Sequence, residues 1–213
     1  MSPLNIRKKY AILIIPALIL ILLLGSLQLN QGSEQVKQNH VAIIQTNIGN
    51  ITIKLFDDVA PKAISRFINL SNNDFYNGTI IHRVFPDLAI YSGQYNIDGE
   101  LKEFSYGTIP VETNPNVKHI PGTISMLRAS DDDTSIRCQF LICLDNISSL
   151  DGKNTAFGIV IDGLDLVYEI SNYPHDDQYS DGSGRPVGGP WDVIINKIKI
   201  LTNEEYTQLS HAL

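Results

Sequence analysis

Cysteine is scarce in this chain and occurs only twice, at Cys138 and Cys143. If both side chains lie on one extended strand, five residues separate their Cα atoms by about 16 Å. A disulfide needs less than about 7 Å between the same atoms, and joint metal ligation by such a pair is equally hard. We therefore predict two buried free thiols.

Basic residues are also few. Lys and Arg together number 16 against 23 Asp and Glu, for a net charge of −7. Three of the basic residues precede Gly32, so the rest of the chain carries 13 basic and 23 acidic residues, a net charge of −10. This balance argues against nucleic-acid binding, which needs a basic surface. A hydrophobic content of 43% is too high for a disordered chain and suffices for one medium-sized domain.

The first 30 residues differ from the rest, because Ala11–Leu24 is apolar without a break and the charges before it are all basic. The apolar character continues weakly to Leu29, and about nineteen helical residues span about 28 Å, close to the hydrocarbon thickness of a bilayer. The basic cluster should stay in the cytoplasm. The pattern predicts a single-pass anchor in the cell membrane over residues 1–30, a polar tether over residues 31–40 and an extracytoplasmic domain. A cleaved signal peptide, which would give a secreted protein, also fits.

The domain is organised around residues 79–93, which read TIIHRVFPDLAIYSG. A β-branched run leads into one permanent cation, Arg83, and Pro86-Asp87 predicts a turn between two short strands. A cation among apolar residues costs desolvation unless something compensates it. Arg83 is therefore either a structural ion-pair partner or the polar group of an otherwise apolar pocket.

Short strand-like runs dominate the remaining sequence. Apolar residues at helical spacing predict a helix that ends near Leu70, with Asp58 as its cap and Pro61 in its first turn. A second helix is predicted over residues 163–171. Strands are predicted over residues 41–46, 51–56, 122–127, 139–144, 156–161 and 191–201. Many short strands with two helices predict a mainly β fold, a closed antiparallel β-barrel capped by two α-helices.

Two ordered segments resemble the signatures of one enzyme family. The run IHRVFP, residues 81–86, is similar to a motif of the cyclophilin-type peptidyl-prolyl cis-trans isomerases. Residues 122–160 resemble the family's next signature, with a Ser-Met pair, a Gln-Phe strand, Leu-Asp-Gly-Lys and Phe-Gly. The resemblance covers residues 41–201 and leaves residues 202–213 as a C-terminal tail. It implies a cyclophilin-like barrel with Arg83 and Gln139 as the catalytic residues.

The resemblance also implies a set of substrate-binding residues: His82, Leu88, Ala89, Tyr91, Leu127, Arg128, Ala129, Leu141, Leu150 and Asn154. Several of these depart from the family pattern. Leu88 and Ala89 stand where the family usually has Phe and Met, and Leu141 stands where it has Phe. Tyr91 replaces a Gln that supports the Arg. The proline pocket is therefore expected to have a smaller and less aromatic floor.

Rotation about an X-Pro bond needs no nucleophile, metal or cofactor, because its barrier of about 18–20 kcal/mol arises from amide resonance. A fixed donor beside an apolar floor can favour the twisted amide, and an Arg suits that role. The sequence predicts a monomeric prolyl isomerase that uses no cofactor or metal and assists the folding of extracytoplasmic or membrane proteins through their proline-containing segments. The alternative is a weak or inactive module that binds such segments as a chaperone or scaffold.

Overall fold

The computed structural model describes residues 39–176, 183–186 and 192–212. Within them one antiparallel sheet has the strand order β3-β9-β1-β2-β8-β6-β7-β5-β4 and curls into a half-barrel. Its strands are β1 (His40–Thr46), β2 (Asn50–Leu55), β3 (Thr79–Ile80), β4 (Arg83–Phe85), β5 (Ala89–Ser92), β6 (Thr123–Arg128), β7 (Ile136–Cys143), β8 (Thr155–Asp162) and β9 (Ile194–Thr202).

The predicted anchor over residues 1–30 and nearly all of the tether lie outside the described residues. Among the described residues, no helix is both long enough and apolar enough to cross a membrane.

The end strands of the sheet, β3 and β4, are neighbours in the chain, and β3 has only two residues. Strands β3 and β4 do not pair with each other. Instead Ile80 N donates to Tyr95 O over 2.9 Å, and Thr79 makes an isolated bridge with Asn96. The predicted closed barrel is therefore corrected to a curled half-barrel, in which the short strand β3 contacts the segment after β5 through single hydrogen bonds and bridges instead of a full ladder.

Helix α1 (Pro61–Asn72) covers the sheet with its apolar face. The ring of Phe67 lies 5.1 Å from Phe157, 5.4 Å from Tyr76 and 5.9 Å from Phe140. Rings at these distances add favourable contacts to the burial of their apolar area. Helix α1 therefore fixes one side of β7, the strand that carries Gln139 on its other side.

The start of helix α1 differs from the sequence expectation. Pro61 is in the first turn as predicted, but the N-cap is Ala60 and not Asp58, and no side chain of the cap residue accepts a hydrogen bond. The two carboxylate oxygens of Glu112 accept from Lys62 N over 3.1 Å and Ala63 N over 2.9 Å. A carboxylate from a distant loop thus satisfies the free amides and the positive end of the helix dipole.

Two further α-helices follow: α2 (Leu164–Ser171) and α3 (Asn203–His211). Helix α2 occupies the predicted position, whereas α3 lies in the predicted tail and makes three α-helices in the described residues instead of two. Thr202 and Glu205 form a reciprocal capping box at its start. This pattern, Thr-x-x-Glu, is a local signal that the sequence does contain.

The two cysteines are free and buried, as predicted. Cys138 belongs to the hydrophobic core, whereas Cys143 points to the other face of β7 because the two are an odd number of residues apart. Burial raises the pKa of both thiols to about 12. Neither thiol is therefore a nucleophile at neutral pH.

Candidate active site

A row of four side chains crosses the strands β4, β5, β7 and β6. Arg83 is opposite Tyr91, Tyr91 is opposite Leu141, and Leu141 is opposite Ser125. Directly paired residues of antiparallel strands share one face, and the residues adjacent to this row, such as Val84 and Ile90, are in the core. The row therefore lies on the face of the sheet away from the core, and three of its members are predicted site residues.

The guanidinium of Arg83 is half-buried and supported from two directions. Its carbon Cζ lies 4.5 Å from the ring centroid of Phe85, which is two residues along the same face of β4. Its Nε donates to Ser183 Oγ over 2.8 Å, and Ser183 is buried. Gly184 pairs with the backbone of Val84 and so holds this segment against β4. These contacts fix the direction of the arginine plane.

Gln139 lies on the same face of β7 as Leu141, two residues away. Its Nε2 donates to Oε1 of the buried Gln94 over 3.0 Å. The close approach depends on Gly93, whose φ is +110° and where an added Cβ would lie 2.7 Å from Cys138 O. No side chain fits there without a backbone shift, so a glycine at this position lets the end of β5 bring Gln94 beside Gln139.

A cavity of about 330 Å³ opens beside Gln139. Four predicted site residues line it together with four residues that the sequence did not suggest: Gln139, Leu127, Arg128, Ala129, Gln94, Tyr95, Leu101 and Arg137. The structure thus brings the predicted polar residue of β7 and the predicted segment 127–129 together. Arg83 does not line this cavity.

The predicted proline floor is closely packed. Ala89 and Leu141 have no exposed area, whereas 38% of Leu88 is exposed. Leu150 is half-buried in a 3₁₀ turn, Ser148–Leu150. Of these four residues, Leu88 therefore presents the most apolar surface and Leu150 presents some, whereas Ala89 and Leu141 contribute only packing.

The opposite side of the site is tied together by polar groups. His119 Nδ1 lies 3.0 Å from Asp151 Oδ1, and its Nε2 lies 2.9 Å from Ser125 Oγ. His119 N also donates to Asp151 Oδ1 over 2.9 Å. The backbone and side-chain hydrogen bonds from His119 lower the pKa of Asp151. This network joins strand β6 to the turn that carries Leu150.

Asn154, a predicted substrate-binding residue, uses its side-chain amide inside the protein. Its Nδ2 donates to Met126 O over 3.2 Å. Met126 directly precedes Leu127, so this bond holds the backbone of β6 at the rim of the cavity. The structure gives Asn154 a supporting position next to the segment 127–129.

His82 is separated from the cavity beside Gln139. It lines a second cavity of about 340 Å³ together with Ile80, Tyr95, Asp98, Gly99, Asp176 and Arg185. Its ring lies 4.6 Å from that of Tyr95, and its Nδ1 is buried and has no hydrogen-bond partner in the described part of the chain. Burial, and then the charge of Arg83, lower the pKa of His82 to about 4. His82 is therefore a neutral ring at physiological pH.

Several residues of this site were missed by the sequence prediction. Arg137 could have been found, because it is two residues before Gln139 on a strand and so shares its face. Gln94 follows a glycine but has no other local signal. Ser183, His119 and Asp151 reach the site from distant positions, and their contacts depend on the folded chain.

Comparison with known proteins agrees with the fold. The protein-family model described as "Cyclophilin type peptidyl-prolyl cis-trans isomerase/CLD" matches residues 41–200 of this chain. A peptidyl-prolyl cis-trans isomerase of Acinetobacter baylyi is 34% identical over 140 residues, which are 64% of this chain and 74% of that protein. Peptidyl-prolyl cis-trans isomerase-like 2 of Gibberella zeae is 31% identical over 170 residues, 79% of this chain but only 28% of that longer protein.

A solved structure is also similar. It is a cyclophilin-type peptidyl-prolyl cis-trans isomerase of Cryptosporidium parvum, determined in the presence of the dipeptide Ala-Pro. The TM-score is 0.64 at 27% identity, over 76% of this chain and 99% of that chain. The family match and the similar proteins support peptidyl-prolyl cis-trans isomerase activity. The chain therefore belongs to the family of cyclophilin-type peptidyl-prolyl cis-trans isomerases.

Proposed function

We propose that this protein isomerises X-Pro bonds in extracytoplasmic or membrane proteins, held near the membrane by residues 1–30, and that Arg83 and Gln139 are its catalytic residues. The observation that carries the proposal is the position of Arg83: a half-buried cation in one row with Tyr91 and Leu141, supported by Phe85 and Ser183. An arginine held in this way has its orientation set before the substrate arrives.

The chemistry follows from the geometry of a twisted amide. When the X-Pro bond is half rotated, resonance is lost and the prolyl nitrogen gains a lone pair. A guanidinium donor placed near that nitrogen stabilises the twisted state more than either planar isomer, and this difference is what accelerates the reaction. Arginine keeps its charge at every physiological pH and presents its N–H groups on a rigid plane.

The other residues hold the substrate. The apolar surface of Leu88 and Leu150 contacts the proline ring, and the polar side chain of Gln139 binds the substrate backbone. Gln94 supports Gln139 by accepting its amide hydrogen over 3.0 Å. In this arrangement Tyr91 takes the place next to Arg83 that a Gln usually has in the family, and its ring packs 5.2 Å from that of Phe85.

The test is exchange spectroscopy on an Ala-Pro peptide with the full chain in detergent. The parent should accelerate cis-trans exchange above the uncatalysed rate, and the acceleration should be lost in the Arg83→Ala variant. Equal exchange rates for parent and variant would refute the role of Arg83. Exchange no faster than that of the free peptide would refute the enzyme itself.

A second candidate function is a module that binds proline-containing segments with little catalysis. It is favoured by the packed floor, because Ala89 and Leu141 have no exposed area and the pocket is correspondingly shallow. The same experiment separates the two candidates. Line broadening from binding without faster exchange supports the module, whereas faster exchange supports the isomerase.

The proposed location is tested separately, since it depends on residues 1–30. A reporter fused after residue 213 should be found outside the cytoplasm, and the protein should remain with the membrane fraction after a high-salt wash. Release of the protein into the medium would instead support a cleaved signal peptide.

A further inference from the structure

The cavity beside Gln139 is lined by two arginines, although the chain after Gly32 carries a net charge of −10. Arg137 stacks with its Cζ 4.9 Å from the ring centroid of Phe104 and has no carboxylate partner among the described residues. Arg128 lines the same cavity, and its Nε is buried without a hydrogen-bond partner in the described ranges. A locally cationic cavity in an acidic domain is a selective environment for an anionic group.

The existing partners of Arg128 do not compete strongly with a ligand. Its Nη2 contacts Asp131 O and lies 3.4 Å from Asp133 Oδ1, and its Nη1 donates to Lys153 O over 3.5 Å, at the long end of the hydrogen-bond range. The side chain of Asp133 is 89% exposed, so this ion pair is in water and contributes little. Asp132 uses its Oδ1 to accept from the backbone and hydroxyl of Thr134. None of these carboxylates lines the cavity.

The distance from the proline site sets which substrate residue can enter. Gln139 lies two residues before Leu141 on one face of β7, which corresponds to about 7 Å. One substrate residue in an extended segment advances by about 3.3 Å. A side chain one or two residues from the proline can therefore reach the cavity while the ring rests beside Leu141.

We propose that the cavity selects client segments with an acidic side chain, Asp or Glu, within two residues of the isomerised proline, and that Arg137 determines this specificity with Arg128 as the second cation. The proposal rests on the proposed function, because it takes the proline to be held beside Leu141. Gln94 and Gln139 supply polar atoms in the same cavity for the carboxylate or the adjacent backbone.

The experiment uses the full chain in detergent and Ala-Pro peptides that carry Glu or Gln at one of four positions, two or one residues before or after the proline. Peptide dissociation constants come from titration and exchange rates from the same spectra. At one position the Glu peptide should bind about fivefold more tightly than its Gln counterpart, as expected for a partly exposed ion pair. The ratio should fall at high salt.

Variants assign the preference to residues. Arg137→Gln should reduce the Glu-to-Gln ratio to about one, whereas Arg137→Lys, which keeps the charge, should retain most of it. Lys197→Gln, which removes the same charge from a half-exposed side chain on β9, should leave the ratio at the parent value. A preserved preference in both Arg137→Gln and Arg128→Gln would overturn the assignment to this cavity.

The experiment distinguishes a failure of the specificity proposal from a failure of the proposed isomerase function. If the parent accelerates exchange but prefers Glu at none of the four positions, the specificity proposal is overturned and the isomerase stands. If no peptide is isomerised but the Glu peptide still binds more tightly in an Arg137-dependent way, the acidic preference stands and the enzymatic proposal fails.

Discussion

The two sides of the candidate site hold their histidines in opposite ways. On one side His119 uses both ring nitrogens and its backbone amide in hydrogen bonds to Asp151 and Ser125. On the other side His82 has a buried Nδ1 without a partner among the described residues and contacts the ring of Tyr95. His119 is thus fixed by directional hydrogen bonds, whereas His82 leaves one ring nitrogen without such a bond and packs against a ring.

This difference suggests a division of roles. Directional bonds determine one geometry and are costly to break, which suits the wall that supports the proline floor. Ring contacts are less directional, so the position of His82 depends more on packing than on a fixed hydrogen-bond geometry. The following predictions test whether the two sides differ in this way.

The largest effect is expected from Arg83→Ala. Loss of a donor that acts in the transition state should lower kcat/KM for isomerisation by about 100-fold, with little change in the free energy of unfolding. The measurement is peptide exchange combined with urea unfolding. The Arg83→Lys variant keeps the charge but not the planar group, so its kcat/KM should lie between those of the parent and Arg83→Ala. A large loss of stability in either variant would show that Arg83 is mainly structural.

A matched pair of histidine replacements compares the two sides directly. His119→Phe should cost about 2–3 kcal/mol of unfolding free energy, because it leaves the buried Ser125 hydroxyl without its partner and removes the ring hydrogen bond to Asp151. His82→Phe should change stability by less than about 1 kcal/mol, because it removes a buried nitrogen that has no partner and keeps a ring against Tyr95. Urea unfolding at pH 7 measures both. Equal costs would remove the distinction between the two sides.

The pH dependence of stability should come from the His82 side in the mildly acidic range. The pKa of His82 falls from 6.5 in the unfolded chain to about 4 in the folded protein. Between these values the unfolded chain binds more protons, so stability is full above pH 6.5 and is lost as the pH falls towards 4. The loss should be on the order of 2 kcal/mol after allowance for partial exposure.

The free energy of unfolding of the His82→Phe variant should change less with pH over this range than that of the parent. Urea unfolding at several pH values measures this difference. Asp151 contributes only at lower pH, since its lowered pKa places its loss of stability below the usual value of 3.8. An unchanged slope in His82→Phe would assign the effect to another group.

A smaller effect than that of His119→Phe is expected from Ser125→Ala. It removes the hydroxyl that meets His119 Nε2 but leaves the bonds to Asp151, so it should cost about 1 kcal/mol. The double variant Ser125→Ala/His119→Phe should lose less unfolding free energy than the sum of the two single losses, because both replacements remove the same hydrogen bond. Full additivity in urea unfolding would mean that this hydrogen bond contributes nothing to stability.

The sequence predicts the parts of this molecule that depend on local pattern. The first hairpin, helix α2 and the helical run that starts at Pro61 follow from apolar spacing, and the free thiols follow from the separation of Cys138 and Cys143. The family motifs identify the segments that carry Arg83 and Gln139. Their catalytic roles, and those of the predicted substrate-binding residues, stay predictions.

The parts that the sequence does not predict depend on contacts between distant residues. Ser183 is 100 residues from Arg83, and His119 is 32 residues from Asp151. Asp58 was the wrong cap for helix α1 because a preference for a residue type near a helix start is weaker than a carboxylate delivered by the fold. Strand β3 has only two residues, which are too few to show the alternating pattern of a strand, so the sequence could not predict that the barrel stays open.

Glu112 has a further consequence for protein engineering. Its backbone N–H donates to Thr155 Oγ1 over 2.8 Å while its carboxylate accepts from the first turn of helix α1. Residues 96–118 therefore cannot be replaced freely by another loop, although their polar sequence resembles that of a dispensable surface segment. A chimera that imports a shorter connection from a relative must bring an equivalent acid to this spot, or the first turn of the helix will fray.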